Sequence, residues 1–251
     1  MHIKDAGADS SIQTEEVNYY SENRLCKGYV AFNVKKEGSL PVVIIVHEWW
    51  GLNEYARSRA RQIAALGYFA FAADLFGDGK LAHNPEEARA MTMRYYSQPE
   101  NTLKPIEDAI AFVAGFPQAD LLKIAAMGYC FGGYVAVNAA KLGAPLKAAV
   151  SFHGRLVGVE AKKNLLKAKI LICQDADDAL VPEPDQTAFR KNMDSIGADY
   201  TFISYPGAMH AYTNPEATAL GQKFKMPIAY NAAADLASWE EMKSFLQSVF
   251  K

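Results

Sequence analysis

The sequence predicts an α/β chain, with a mostly parallel central sheet and helices on both faces. Three observations carry that prediction. Short continuous apolar runs, with residues 41–46 the clearest, have the composition of strands covered on both sides. Those runs alternate with amphipathic helical segments, the arrangement that builds parallel sheets. Half of the 251 residues are apolar, enough for one domain of this length to bury a full core.

The elements follow in order along the chain. Residues 1–16 are polar and charged and read as a flexible N-terminal arm, leaving residues 17–251 as a single α/β domain. Residues 28–34 alternate and predict an early antiparallel strand, and the β-branched run 41–46 predicts a buried one. Residues 53–66 are an amphipathic helix closed by Gly67. A buried strand over 68–73 precedes helices over 85–96 and 103–116. Residues 123–129 form the next strand, followed by short strands over 147–152, 169–173 and 200–205. A helix over 184–196 separates the last two, and a helix over 231–250 ends the chain. The stretch 212–230 is expected to be irregular and to lie over a site.

The strand over 123–129 runs straight into Gly128-Tyr129-Cys130-Phe131-Gly132-Gly133, and an Ala-rich helical segment follows. Strand, sharp turn and helix around Gly-x-nucleophile-x-Gly is the nucleophile elbow of the α/β-hydrolase fold. The turn crowds the chain against itself, so the flanking positions need glycine. Cys130 stands where serine is usual. In this fold the acid and then the histidine come after the nucleophile. The strand over 169–173 leads into Gln174-Asp175-Ala176-Asp177-Asp178, and an acid there can orient an imidazole. Spacing alone leaves Asp175, Asp177 and Asp178 open. The strand over 200–205 leads into Pro206-Gly207-Ala208-Met209-His210, which presents His210 as general base at a strand's C-terminal end. His153 also ends a strand and reads as a satisfied loop histidine. Trp49, Trp50 and Tyr129 read first as packing.

Bulk properties exclude other classes. A net charge of −2 gives no electrostatic case for nucleic acid as partner. No run approaches the roughly 18 apolar residues that span a bilayer. No secretory signal is visible at the N-terminus, and Cys26, Cys130 and Cys173 are too few and too scattered for a disulfide or metal framework. The expectation is a cytoplasmic protein without metal or organic cofactor, Cys26 and Cys173 being inert. Oligomeric state is open.

Five segments together resemble the dienelactone hydrolase family over roughly residues 25–250. They are the elbow, His47-Glu48-Trp49-Trp50-Gly51-Leu52, Asp74-Leu75-Phe76-Gly77, Asp178-Ala179-Leu180-Val181-Pro182 and Pro206-Gly207-Ala208-Met209-His210. The resemblance implies Asp178 as the acid, since family members carry it four residues before the proline of the Val-Pro pair. It implies that Glu48 lies beside the thiol and takes part in forming the thiolate. The oxyanion hole is expected from the backbone N–H groups of Trp49 and Phe131. Dienelactone-cleaving members hold a substrate carboxylate with two arginines. Arg89 fits the first, with Arg94 as the fallback. The second follows the histidine by four residues, where this chain has Asn214, which can hydrogen-bond but offers no charge.

The expected function is hydrolysis of a small-molecule lactone or ester through Cys130, His210 and Asp178 and a thioester acyl-enzyme. A general carboxylesterase or thioesterase for small acyl esters is the alternative. A non-catalytic or redox-responsive binding protein on a hydrolase scaffold is the more distant one.

Overall fold

In the computed structural model, which describes residues 11–176, 178 and 180–251, eight strands form one sheet in the order β1-β2-β4-β3-β5-β6-β7-β8. The strands are β1 Ile12–Ser21, β2 Arg24–Asn33, β3 Leu40–Val46, β4 Phe69–Ala73, β5 Ala119–Tyr129, β6 Ala148–Phe152, β7 Lys169–Asp175 and β8 Tyr200–Tyr205. β1 and β2 make a hairpin, β2 runs antiparallel to β4, and every later pairing is parallel. The arm expected over residues 1–16 overlaps β1. Residues 12–16 pair with β2 from Ile12 opposite Asn33 onward, and residues 1–10 lie outside the described residues. Polar side chains are tolerated there because an edge strand buries only part of one face; Gln13, Thr14, Glu15, Glu16 and Asn18 are all exposed.

Strand β3 shows why the centre of the sheet reads as unbroken apolar sequence. Val42, Ile44 and Val46 pack into the core on one face, and Val43 and Ile45 into the core on the other. The first core is roofed by α3 (Leu103–Val113), α4 (Phe131–Lys141) and α5 (Glu183–Ser195), through residues such as Ile106, Val135 and Phe189. The second is covered by α1 (Glu54–Ala65) and α7 (Ala232–Val249), through Ile63, Trp239 and Met242. Asparagine starts several helices. Asn53 caps α1, Asn84 caps α2 (Pro85–Ser97) and Asn231 caps α7, each accepting a backbone N–H from the first turn. Gly67, at φ 96°, ends α1 as expected.

Besides β1, a helix was not anticipated. Within 212–230 the chain forms α6, Ala217–Phe224, ended by Lys225 in the left-handed conformation at φ 52°. Eight residues without an asparagine cap or a long amphipathic repeat leave little sequence signal.

After β3 the chain goes to β4 on one side and returns to place β5 on the other. A reversal of this kind leaves a crevice outside the C-terminal ends of the central strands. The chain crosses that crevice with almost no clearance. A Cβ on Gly132 would lie 2.1 Å from the Val46 carbonyl oxygen, and one on Gly128 would lie 2.1 Å from the Gly132 backbone. Gly132→Ala is therefore expected to cost at least about 3 kcal/mol, from forced displacement of packed backbone. Urea unfolding of the purified variant measures this, and wild-type stability would contradict the packing described.

Candidate active site

Strand β5 delivers Cys130 at its C-terminal end, and α4 begins at the next residue. Cys130 has φ 52° and ψ −113°, a conformation L side chains rarely adopt. Its N–H is shared between the Phe152 carbonyl at 2.9 Å and His153 Nδ1 at 3.1 Å. Its Sγ lies 3.0 Å from His210 Nε2. On the other side of that ring, Nδ1 lies 2.9 Å from Asp178 Oδ2. Residues 48 and 80 positions apart are thus brought into one line at the C-terminal edge of the sheet.

The geometry separates two of the competing aspartates. Asp178 accepts from His210 and from the Leu180 N–H at 2.7 Å. Burial opposes its charge, but the bonds from His210 and Leu180 outweigh it and hold the carboxyl below its ordinary range. Asp175 Oδ2 is 3.7 Å from the same ring nitrogen. Burial pushes its carboxyl up to about 8, and the neighbouring Asp178 charge adds to that despite the pull of His210. Asp177 lies outside the described residues. His210 itself is raised well above the ordinary histidine value. Burial works against its charge, but the Cys130 sulfur and Asp178 reverse the balance. A thiol, imidazole and carboxylate so arranged can hold the sulfur as a thiolate paired with an imidazolium.

The segment His47 to Leu52 leaves β3 into the same crevice. Glu48 is buried, and burial pushes its carboxyl up to about 7 against the pull of Asn214, His210 and Arg59. Asn214 Nδ2 donates to Glu48 Oε2 at 2.7 Å, while Asn214 Oδ1 accepts the Glu216 N–H. No hydrogen bond joins Glu48 to the Cys130 thiol among the described residues. Asn214, expected to contact substrate, thus lines the cavity with its amide hydrogen-bonded to Glu48 and Glu216. His47 orients the next peptide. Its Nε2 accepts the Leu75 N–H at 3.3 Å, so Nδ1 carries the proton and donates to the Glu48 carbonyl at 2.5 Å. In a trans peptide the Trp49 N–H points the opposite way from that carbonyl. The Phe131 N–H belongs to the first residue of α4, where no intrahelical acceptor exists.

Cys130, His210, Glu48 and Asn214 line a cavity of about 690 Å³. Its walls are largely apolar, with Trp49, Trp50, Met93, Tyr96, Leu220 and Phe224 among them. Arg89 reaches this cavity from an exposed position on α2. Arg94 does not line it; its guanidinium pairs with Glu22 at 2.6 Å and stacks over Tyr95. Arg155 also lines the cavity, with its guanidinium 5.3 Å from the Tyr96 ring centroid. Its signal in the sequence is a cation three residues past the end of β6. The roof is α6, where Phe224 stacks on Trp50 at 5.8 Å between centroids. The roof segment is pinned at both ends near His210, which bridges to Ile228 and accepts the Ala229 N–H at 3.2 Å.

The other cysteines are buried, Cys26 pushed up to about 11 and Cys173 to about 12, chiefly by desolvation. Asp175, Asp178 and His210 place three potential metal donors together, but His210 and Asp178 already engage each other. No helix among the described residues is long and apolar enough to cross a membrane.

Comparison with known proteins bears on the whole of this arrangement. The profile of the "Dienelactone hydrolase family" matches residues 26–250. The chain belongs to the dienelactone hydrolase family. A Yersinia pestis relative named "Putative carboxymethylenebutenolidase" is 30% identical, covering 80% of this chain and 79% of its own length. A relative of the same name from Methylorubrum extorquens is 28% identical, and the chain spans 64% of its length. Among solved structures, a dienelactone hydrolase-like promiscuous phosphotriesterase from metagenomic libraries superposes with TM-score 0.89 at 29% identity. That match covers 96% of this chain and 99% of the other. At the level of class, this family member is a dienelactone hydrolase-like carboxylic ester hydrolase.

The buried Glu48 carries a pH signature. Its folded value of about 7 lies above the ordinary 4.5, so the folded state binds the proton more tightly than the unfolded chain. The stabilisation is full below the ordinary value and is lost as pH rises through about 7. Glu48→Gln, which cannot ionise, is expected to gain stability over wild type between about pH 5 and about pH 8, by on the order of 3 kcal/mol. Urea unfolding at the two pH values checks it, and parallel curves would exclude the shift.

Proposed function

We propose that this protein hydrolyses a small-molecule ester or lactone through a thioester on Cys130. The observation that carries the reading is the 3.0 Å approach of Cys130 Sγ to His210 Nε2, with Asp178 on the far nitrogen. The thiol proton passes to His210 Nε2, and the sulfur attacks the substrate carbonyl carbon. The oxyanion that forms is held by the Trp49 and Phe131 N–H groups, the first aimed by His47 and the second freed by its place at the start of α4. Collapse breaks the acyl C–O bond, and the leaving alkoxide takes the proton from His210. A water then gives a proton to His210 and attacks the thioester. The second collapse releases the carboxylic acid and returns the sulfur to its starting state. Glu48, near neutrality and buried beside the path, supports proton balance at the thiol.

For the substrate, the largely apolar cavity supports an apolar body around the scissile bond. Arg89 supplies a cation for a carboxylated substrate. A second reading, a general esterase for neutral acyl esters, is favoured by Asn214, whose amide is spent on Glu48.

Steady-state hydrolysis of a carboxylated dienelactone and of p-nitrophenyl acetate tests both. Cys130→Ala is expected to lower kcat/KM by about a thousandfold or more on either substrate while Tm is kept. Retained hydrolysis in that variant would sink the cysteine mechanism. Arg89→Ala is expected to raise KM about tenfold for the carboxylated substrate, from loss of one charge-assisted contact, and to leave the neutral ester unchanged. An equal effect on both would reject an anion-binding role and leave the neutral-ester reading.

A further inference from the structure

His153 is wholly buried at the end of β6 and takes no part in the proton path just described. Its two ring nitrogens are nonetheless both engaged. Nδ1 lies 3.1 Å from the Cys130 N–H and Nε2 lies 2.7 Å from Thr213 Oγ1. A backbone N–H can only donate, so Nδ1 accepts, and the ring proton sits on Nε2 and is donated to Thr213. The Thr213 hydroxyl hydrogen is then free for the Tyr55 hydroxyl, 2.7 Å away. The Thr213 backbone is itself fixed, since its carbonyl accepts from Arg59 Nη2 at 2.7 Å. Arg59 is anchored by a buried ion pair with Asp235 at 2.6 Å, which ties α1 to α7. A continuous chain of directed bonds therefore runs from the two helices behind the sheet to the amide of the nucleophile.

That amide is where such a chain matters. Cys130 sits at φ 52°, a conformation that costs roughly 1–3 kcal/mol and persists only where its surroundings enforce it. The Cys130 N–H is the group whose direction defines φ, and His153 and Phe152 hold it between them. The same backbone angles set where Sγ points and where the following Phe131 N–H points. The edge of the His153 ring also meets His210, with centroids 5.2 Å apart, so a neutral ring is what the neighbouring imidazolium requires. Burial and the nearby His210 and Arg59 charges hold His153 well below the ordinary histidine value.

We propose that His153 is a positioning residue: its Nδ1 holds the Cys130 amide so that Sγ faces His210 and the Phe131 N–H faces the developing oxyanion. Thr213 accepts the Nε2 proton of the tautomer that the Cys130 N–H requires. This rests on Cys130 being the nucleophile, as proposed above.

Paired substitutions separate this role from packing. In His153→Asn the side-chain oxygen falls near the place of Nδ1 and keeps the bond to Cys130, and asparagine tolerates the φ of 41° found there. In His153→Gln the amide reaches toward Thr213 instead. His153→Phe keeps the ring and loses both bonds. Each variant, with Thr213→Val and Cys130→Ala, is assayed for kcat and KM on p-nitrophenyl acetate. The rate of Cys130 alkylation by iodoacetamide is followed across pH, with Tm measured alongside. His153→Asn is expected to stay within about fivefold of wild-type kcat. His153→Gln and His153→Phe are expected to lose about tenfold to a hundredfold in kcat, the cost of a misplaced reacting group, with KM within about threefold. Their alkylation profile should also shift. Thr213→Val, which leaves the Nε2 proton without its acceptor, should fall between. If all His153 variants keep wild-type kcat and alkylation and differ only in Tm, or if Asn and Gln fall equally, the proposal is overturned. Equal hydrolysis by Cys130→Ala would overturn the nucleophile assignment itself, an outcome distinct from Cys130-dependent activity that ignores His153.

Discussion

Everything at this site depends on how closely the turn after β5 passes over the end of β3. Gly132 rests against the Val46 carbonyl, and that contact sets the height at which Cys130 leaves the sheet. It also brings the Glu48–Trp49 peptide, which continues β3, alongside the start of α4. A side chain at position 132 would move the thiol away from His210 and part the two N–H groups together. The steric constraint is local, but its consequence is the alignment of groups delivered by four different strands.

Electrostatics at the crevice divides into charged and neutral groups by burial and partner. His210 and Asp178 share hydrogen bonds that favour their ionised forms. His47, His153 and Asp175 are buried in surroundings that favour their neutral forms, His47 and His153 chiefly through desolvation. The two neutral histidines occupy parallel positions. One orients the peptide after β3 and the other holds the peptide after β5. The neutral state is what lets each ring use one nitrogen as acceptor and the other as donor.

Much of this was legible in the sequence. The sheet and its helices were readable because strands buried on both faces, such as β3, carry unbroken apolar runs, and because asparagine and glycine mark helix ends. Cys130, His210 and the candidate aspartates were readable because the fold fixes their chain order. What was not legible depended on contacts between distant segments. Spacing alone left the aspartates open and the resemblance pointed to Asp178; the distances, 2.9 Å for Asp178 against 3.7 Å for Asp175 to one nitrogen, come only from the fold. The engagement of Asn214 with Glu48 joins residues 166 apart, and that of His153 with Thr213 joins residues 60 apart. β1 was masked by the polar exposed face of an edge strand, and α6 by its shortness.

The roof of the cavity leaves the sheet at His210 and comes back to hydrogen-bond beside the same residue. Topologically it is a closed loop hung from one point. The entropy of closing such a loop grows only with the logarithm of its length, about 0.6 kcal/mol for each doubling. Residues can therefore be added to or removed from this segment at small thermodynamic cost, while the imidazole at its neck stays in place. The volume of the cavity and the position of the His210 imidazole are thus separable variables in this architecture, and insertions here are the inexpensive route by which a lineage would change one without the other.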